Sequence, residues 1–510
     1  MAKPGAKPTL SVILPVYNAM PWLPTTVRDV LSQRLQDDAS LELLATFDGG
    51  DDGSLDFLLR LAAELGASRA TDELVEPTTA AAASNPALLQ PLRAPETADH
   101  PSFASAEAPE GAATPLSVAQ VAAACRPEHR LRVLRHVDGA NRGQGHAMSL
   151  ALRHARAGLV AQMESDDERP RPDAFARMLA ELAAHAEWDG VSCVVALVGW
   201  ERPGMEEYVA WQNSLLTPER MAAGRFVEIP ALHQTAIFRR EAVEEVLATS
   251  GGRYRDGPRR DAGAPGGGGG ADIEAAGGAA SPPPSAAASA ATGAEAAAAA
   301  AGDELDTPVD LWWWLAFFHG GKRCGKLGGE PLFGWRQHPR QHTRTHGRLS
   351  LDNLRRVKAH FLVRPGGPAH GAARVEVWST GQTLHGWAAD LRAAQQAVQG
   401  PAGGGGGAVC EVRAVEWKPG APPPPHWPRP PPKPKKRKAA AAAAAAAVAA
   451  TADAAVPNAD AAAAAPAAAA ALGGGRQGVV RLFAFGMHKA RQKARAHVHD
   501  WDDRLDWFVA

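Results

Sequence analysis

Apolar and polar positions change rhythm along this chain, and each change predicts an element. Ser11–Val16 (SVILPV) is an unbroken, mostly β-branched run, as strands buried on both faces show. Between Trp22 and Leu35, the residues Trp22, Leu23, Val27, Val30 and Leu31 have helix-compatible spacing. Leu41–Phe47 (LELLATF) is a second apolar run, and it stops at the turn-rich Asp48–Ser54 (DGGDDGS). Leu131–Val137 predicts a strand, about 144–156 a helix, and Leu159–Met163 a strand that ends in the acidic turn Glu164–Glu168. Arg171–Ala184 is amphipathic, with Phe175, Met178, Leu179 and Leu182 on one stripe. Val191–Val198 reads as one buried strand. Asp306–His319, carrying Trp312, Trp313 and Trp314, and Leu349–Leu362 read as helices. Val409–Trp417 alternates like a strand, and ordered-looking sequence returns at Val479–Phe485 and Trp501–Phe508. Strands alternating with helices predict an α/β fold with a mostly parallel central sheet.

The stretches without rhythm set the domain organisation. The chain of 510 residues holds 51 Gly and 41 Pro, above the usual shares of about 7% and 5%. The excess clusters with Ala near 66–128, 251–303 and 419–478. These are expected to be two disordered insertions and a disordered linker. The organisation predicted is one large domain over 9–363 holding both insertions, and a small C-terminal α/β unit made of 370–418 and 479–510. No repeat with a fixed period is visible.

Charge and cysteine usage narrow the function. The net charge of −1 excludes a globally basic nucleic-acid binder, though not a local basic patch. Cys125, Cys193, Cys324 and Cys410 are far apart, without CxxC or zinc spacing, which fits a reducing compartment. Met1–Thr9 leaves no room for a secretory apolar region. The strongest apolar run, Leu311–Phe318, falls well short of the roughly 20 residues a membrane helix needs. The expectation is a soluble cytoplasmic protein without a membrane partner. The Lys433–Lys438 cluster could serve nuclear import, contact phosphates or be a solvated linker run.

Four groups of residues could carry chemistry. The loop after Ser11–Val16, with Pro15, Tyr17 and Asn18, lies where open α/β sheets bind ligands, and Asp48 ends the next strand. An acid there can accept an N–H or a ribose hydroxyl, or simply solvate an ordinary turn. Glu164 and Asp166, spaced i and i+2 at a strand end, could face one hard cation such as Mg²⁺ or Mn²⁺. They could equally serve the start of the next helix. Asp310, opening an apolar helix, could be a general base or an ordinary helix-start residue. His338 could ligate a metal or hold a phosphate. Arg336, Arg340 and Arg344 could hold a phosphate electrostatically. His338, His342 and His346 do not read as a zinc site, because Pro339 interrupts their helical spacing.

In this order the motifs resemble the inverting family-2 glycosyltransferases of the GT-A (Rossmann-like) fold. The resembling residues are Ser11–Asn18, Asp48 with Asp52-Gly53-Ser54, Asn141-Arg142-Gly143, Glu164-Ser165-Asp166-Asp167 as the DxD signature, and Pro308-Val309-Asp310 in place of Pro-Glu-Asp. They cover about 10–65, 130–250 and 304–363. Two departures stand out: Glu164 replaces the first Asp, and Val309 replaces the Glu beside the base, with Glu304 and Asp306 nearby in sequence. Within that family, Ile13–Leu23, Trp211–Glu219 and Arg336-x-His338-Pro339 are similar to the queuosine-tRNA galactosyltransferases. The tail, Val375–Trp378 and Asp506–Val509, matches their appended unit loosely.

The resemblance implies a UDP-sugar donor seated on Pro15, Tyr17, Asn18, Asp48 and Asn141. It implies Mn²⁺ or Mg²⁺ on Glu164 and Asp166, and Asp310 as the base in a single inverting displacement. The acceptor implied is queuosine in tRNA, with galactose transferred. Trp312–Trp314 stand where an acceptor ring could stack, although at least two of them suit a core. Lys489, Arg491, Lys493 and Arg495, with His488, His497 and His499, are the candidate tRNA contact. Two further readings stay open: a UDP-GlcNAc or UDP-glucose transferase acting on a cytosolic protein or glycan, and an inactive UDP-binding module. The sequence leaves the oligomeric state undetermined.

Overall fold

The computed structural model describes residues 8–36, 38–75, 115–137, 139–199, 204–250, 252–255, 307–338, 341, 349–399, 410–418, 478–485, 488–498, 502 and 505–509. The predicted insertion over 251–303 lies almost wholly outside these residues, and the linker over 419–478 outside them but for Gly478. His342, His346, Arg340, Arg344, Glu304, Asp306 and Lys433–Lys438 are also outside.

The main sheet has eight strands: β1 Leu10–Val16, β2 Leu41–Phe47, β3 Ala70–Val75, β4 Arg130–His136, β5 Leu159–Gln162, β6 Gly190–Cys193, β8 Ile237–Arg239 and β9 Cys324–Leu327. Their order is β3-β4-β2-β1-β5-β8-β6-β9. All pairings are parallel except those of β8, which runs antiparallel to β5 and β6. The fold is therefore α/β with a mostly parallel central sheet, as the alternation of elements predicts. Strand β7, Val195–Gly199, leaves the main sheet to pair in parallel with β10, Phe333–Gln337. The single strand expected at Val191–Val198 is thus two strands in two sheets.

The period of two along each strand divides the core. Ile13 and Leu44 face one side with Leu134, Val160 and the helix Val309–His319. Val12, Leu14, Leu43 and Ala45 face the other with the helices Leu23–Leu31, Ser54–Leu65 and Ala174–Ala184. Both faces being covered explains why β1 and β2 are apolar throughout.

Two elements, β3 and the helix Val118–Ala124, fall inside the stretch 66–128 expected to be an insertion. The helix Val118–Ala124 opens with a capping box at Ser117 and Gln120. Strand β3 is polar because it is an edge strand, and a buried guanidinium anchors it. Arg132 donates to Glu73 through Nε and Nη2, both at 2.8 Å, and to Glu42 at 3.1 Å. The Arg132 hydrogen bond, against a smaller opposing effect of burial, lowers the Glu73 carboxyl to about 2.

The C-terminal residues form a separate parallel sheet, β12-β11-β13-β14, from β11 Arg374–Ser379, β12 Glu411–Glu416, β13 Val479–Ala484 and β14 Asp506–Val509. The helix Gly381–Gln399 crosses between β11 and β12. Arg481 and Asp506 pair bidentately inside it at 2.7 and 2.6 Å. This C-terminal unit is seated on the large domain: Arg355 donates to Asp390 at 2.5 Å, and Trp507 packs edge-on against Phe226 at 5.7 Å.

Candidate active site

The carboxyl ends of β1, β2 and β5 meet where the sheet order departs to either side of β1, the place where open α/β sheets form a ligand crevice. The first wall consists of the loops after β1 and β2. Asn18 adopts a φ of 44°, tolerable for Asn, and its Oδ1 accepts from the Asp51 N–H at 2.9 Å. Asp52 accepts from the Met20 and Ser54 N–H groups at 2.7 and 3.0 Å, and the Ala19 N–H donates to Ser54 Oγ at 3.0 Å. Gly50 is required here: its φ is +102°, and a Cβ would lie 2.2 Å from Asn18 Oδ1. The two loops are thereby stapled into one surface.

Asp48 is buried and fully engaged. Its two oxygens accept the backbone N–H groups of Arg142 and Gly143, each at 2.8 Å. Asn141 accepts from the same Gly143 N–H at 3.0 Å and touches the Gly49 side of the loop. Pro15 is buried in β1, while Tyr17 stands 50% exposed at the crevice mouth. Burial, then the charges of Asp51, Asp48 and Asp52, raise the Tyr17 phenol. The structure therefore gathers Pro15, Tyr17, Asn18, Asp48 and Asn141 around adjoining loops, with Asp48 acting as a brace for the Asn141–Gly143 loop.

The second wall is the acidic turn after β5. Glu164 is surrounded by amides: its Oε1 accepts from Gln144 at 2.7 Å and Gln162 at 2.5 Å. Desolvation first, then the charges of Asp310, Asp166 and Asp167, raise its carboxyl well above the ordinary value. Asp166 instead faces His338, with Oδ2 and Nε2 3.0 Å apart. Glu164 is thus held by glutamines through Oε1 while Asp166 pairs with His338, and the Asp166 charge still acts on Glu164. Asp167 is a buried latch: it accepts from the Arg336 N–H at 2.9 Å and from Gln234 at 3.0 Å.

Arg336 is committed to this turn. It donates through Nε to the Asp166 carbonyl at 2.9 Å, pairs with Glu168, and lies over the Trp22 ring at 4.4 Å. Arg336, expected to hold a phosphate electrostatically, braces the acidic turn in this structure. Among the described residues no group of three metal-ligating side chains gathers. Mg²⁺-like ions take one or two protein ligands and fill the rest with water and phosphate oxygens. The carboxylates of Asp166 and Glu164 are of the kind that demand calls for, with His338 beside Asp166.

Asp310 stands in the first turn of the helix Val309–His319 and is half-buried. Desolvation raises its carboxyl to about 6. Its charge reaches Glu164 on one side and the Tyr208 phenol on the other. Val309, in the place of a second acid, is buried in the core. The three tryptophans that follow are also core. Trp312 bonds Ser250 Oγ at 2.9 Å beneath the Arg255 guanidinium, Trp313 stacks on His233 at 4.9 Å, and Trp314 is fully buried. None is an acceptor platform, because the helix is apolar on every side and packed all round.

In the C-terminal basic stretch Arg495 is exposed and Arg491 is not. Arg491 is buried, donates to the Phe485 carbonyl at 3.1 Å and lies 5.9 Å from the Trp211 ring. The side chains of His488, Lys489, Lys493 and His497, and residue His499, lie outside what the structure describes.

Sequence reasoning missed Gln144 and Gln162, which hold Glu164. Gln144 directly follows the Asn141-Arg142-Gly143 motif and opens a helix, a visible signal. It also missed Tyr208 and Trp335, whose rings meet edge-on at 6.0 Å, and nothing in their spacing connects them.

No family model and no curated protein match the chain. Solved structures similar to it include a fragment of S. aureus TarS in complex with UDP, at 13% identity and a TM-score of 0.37, covering 70% of this chain and 66% of that one. The TarS fragment with UDP-GlcNAc gives 12% identity and a TM-score of 0.41, over 76% and 81% of the two chains. Mannosyltransferase PcManGT from Pyrobaculum calidifontis, in complex with GDP-Man and Mn²⁺, gives 14% and 0.33 over 71% and 65%. The chain spans just under two thirds of the UDP-bound TarS fragment and 39% of the longer S. aureus TarS chain.

Proposed function

We propose that the protein is an inverting, metal-dependent sugar-nucleotide transferase of the GT-A kind, moving galactose from UDP-galactose to queuosine in tRNA. The observation that carries the transferase reading is the meeting of Asp310, whose carboxyl is lifted to about 6, with the acidic turn whose Asp166 faces His338 at 3.0 Å. Galactose and queuosine rest on the sequence resemblance alone.

In this reading the uracil and ribose lie along Tyr17, Asn18 and the Asp48–Asn141 corner. Asp166 and His338 would hold Mn²⁺ or Mg²⁺, which supplies positive charge to the diphosphate. Arg336 and Asp167 keep the turn in register, so that the diphosphate meets a fixed Asp166. Asp310 takes the proton of the acceptor hydroxyl as that oxygen attacks the anomeric carbon, and the bond from that carbon to the diphosphate oxygen breaks on the opposite face. A base near pH 6 is ionised at neutral pH and still able to accept a proton.

The test is incubation with Mn²⁺ and UDP-galactose or UDP-GlcNAc, with total tRNA containing or lacking queuosine, followed by nucleoside mass spectrometry. A hexose gained only on queuosine, and lost in Asp310→Asn, is the expected result. UDP-sugar hydrolysis without transfer would discard the tRNA acceptor. Intact UDP binding with neither reaction would assign the domain to binding alone.

A further inference from the structure

Resting on the transferase reading, we propose that Gln144 is a positioning residue: from the donor side of the crevice it fixes Glu164 by one carboxylate oxygen and leaves the other to the divalent ion. Gln144 opens the helix Gln144–His154 and directly follows Gly143, whose N–H Asp48 accepts at 2.8 Å. Side chains tilt toward the start of their helix, so that of Gln144 extends past the helix end. There its Nε2 donates to Glu164 Oε1 at 2.7 Å. Gln144 thus joins the loop held by Asp48 on one wall to the acidic turn on the other.

Glu164 is a carboxylate gripped at one oxygen. Gln162, the last residue of β5, donates to the same Oε1 at 2.5 Å. Two amide N–H groups therefore converge on Oε1, while no described residue donates to Oε2. The Gln162 side chain is buried, and its own Oε1 has no hydrogen-bond partner among the described residues. A buried amide left half-satisfied is costly, and what this one makes is the bond to Glu164. An ion of the Mg²⁺ kind needs its few protein oxygens at set positions, and groups that hold the rest of a ligating side chain supply that order. Of the two glutamines, Gln144 is the one carried by the donor loop. It is half-buried at a helix start, so it can be replaced without opening the core.

The experiment is a calorimetric titration of UDP into the full chain with and without Mn²⁺, and it reads the gain in UDP affinity that the ion brings. Gln144→Met keeps the length of the side chain and removes its donor. Gln144→Asn keeps the amide and loses the reach, which guards against a misfolded first variant, and melting temperatures check both. Each is expected to cut the Mn²⁺-dependent gain roughly 10- to 100-fold and to leave UDP affinity without the ion within a few-fold. Glu164→Gln should cut the gain as well. Adding Gln144→Met to Glu164→Gln should then change it by less than about twofold, because a residue that acts through Glu164 has nothing left to position. A gain unchanged in both Gln144 variants would overturn the proposal alone. So would an equal loss from Gln144→Met with and without Glu164→Gln, which would make its role generally structural, or a gain that survives Glu164→Gln. Failure of the wild type to bind UDP would overturn the donor reading and the proposal with it.

Discussion

The two walls of the crevice treat their acids in opposite ways. On the side of β1 and β2, Asp48 and Asp52 each accept two backbone N–H groups, and the loops they brace are ordered by those bonds. On the side of β5 and the helix Val309–His319, Glu164 and Asp310 are drawn out of water, and their charged forms are disfavoured. The first wall is built as a fixed surface, suited to a part of the ligand that does not change. The second stores proton affinity at the expense of stability, as a reacting centre requires.

The largest expected difference is in rate. Asp310→Asn should lower turnover about 10²- to 10⁴-fold and leave UDP affinity within a few-fold, measured by UDP release and by titration. An equal loss of both would place Asp310 in donor binding and erase the division between the walls. Asp48→Asn should do the reverse. Exchanging one accepting oxygen for an amide N–H opposes a backbone donor, so unfolding in urea should show a loss of about 1–3 kcal/mol together with weaker UDP binding.

Acidity gives a finer probe. With the Asp310 carboxyl at about 6, the chemical step should fall close to tenfold per pH unit below that value and level off above it, read from single-turnover rates. In stability the sign is opposite to that of a paired acid. The folded state holds the Asp310 proton up to about pH 6, while an unfolded aspartate releases it near pH 3.9. Wild-type stability due to this group is thus greatest below about pH 4 and is lost as pH rises through about 6. Asp310→Asn should therefore melt higher than the wild type at pH 7 and lose that advantage near pH 4. A variant less stable at both pH values would contradict the view of this wall as strained.

Much of the first wall was legible because its information is local. A buried parallel strand must be apolar throughout, and the turn Asp48–Ser54 signals its own end. Strand β3 escaped notice because an edge strand need not be apolar, and its anchor, Arg132, lies 59 residues from Glu73. The pairing of Asp166 with His338 spans 172 positions and is set by β10 crossing the acidic turn, which no spacing in the chain expresses. The tryptophan triplet, of which at least two suited a core, is buried throughout, since adjacent aromatic residues on a helix all face the core when neighbours cover every side. Arg336 was read as a phosphate contact and Arg491 as part of a tRNA contact, since sequence gives a charge but not the carbonyls and carboxylates beside it.

The most direct measurement is a calorimetric titration of UDP into the full chain, with and without Mn²⁺, for the wild type and Asp166→Asn. The account predicts Mn²⁺-dependent binding that weakens roughly 10- to 100-fold in the variant. Absence of UDP binding, or binding indifferent to both the ion and Asp166, would contradict it.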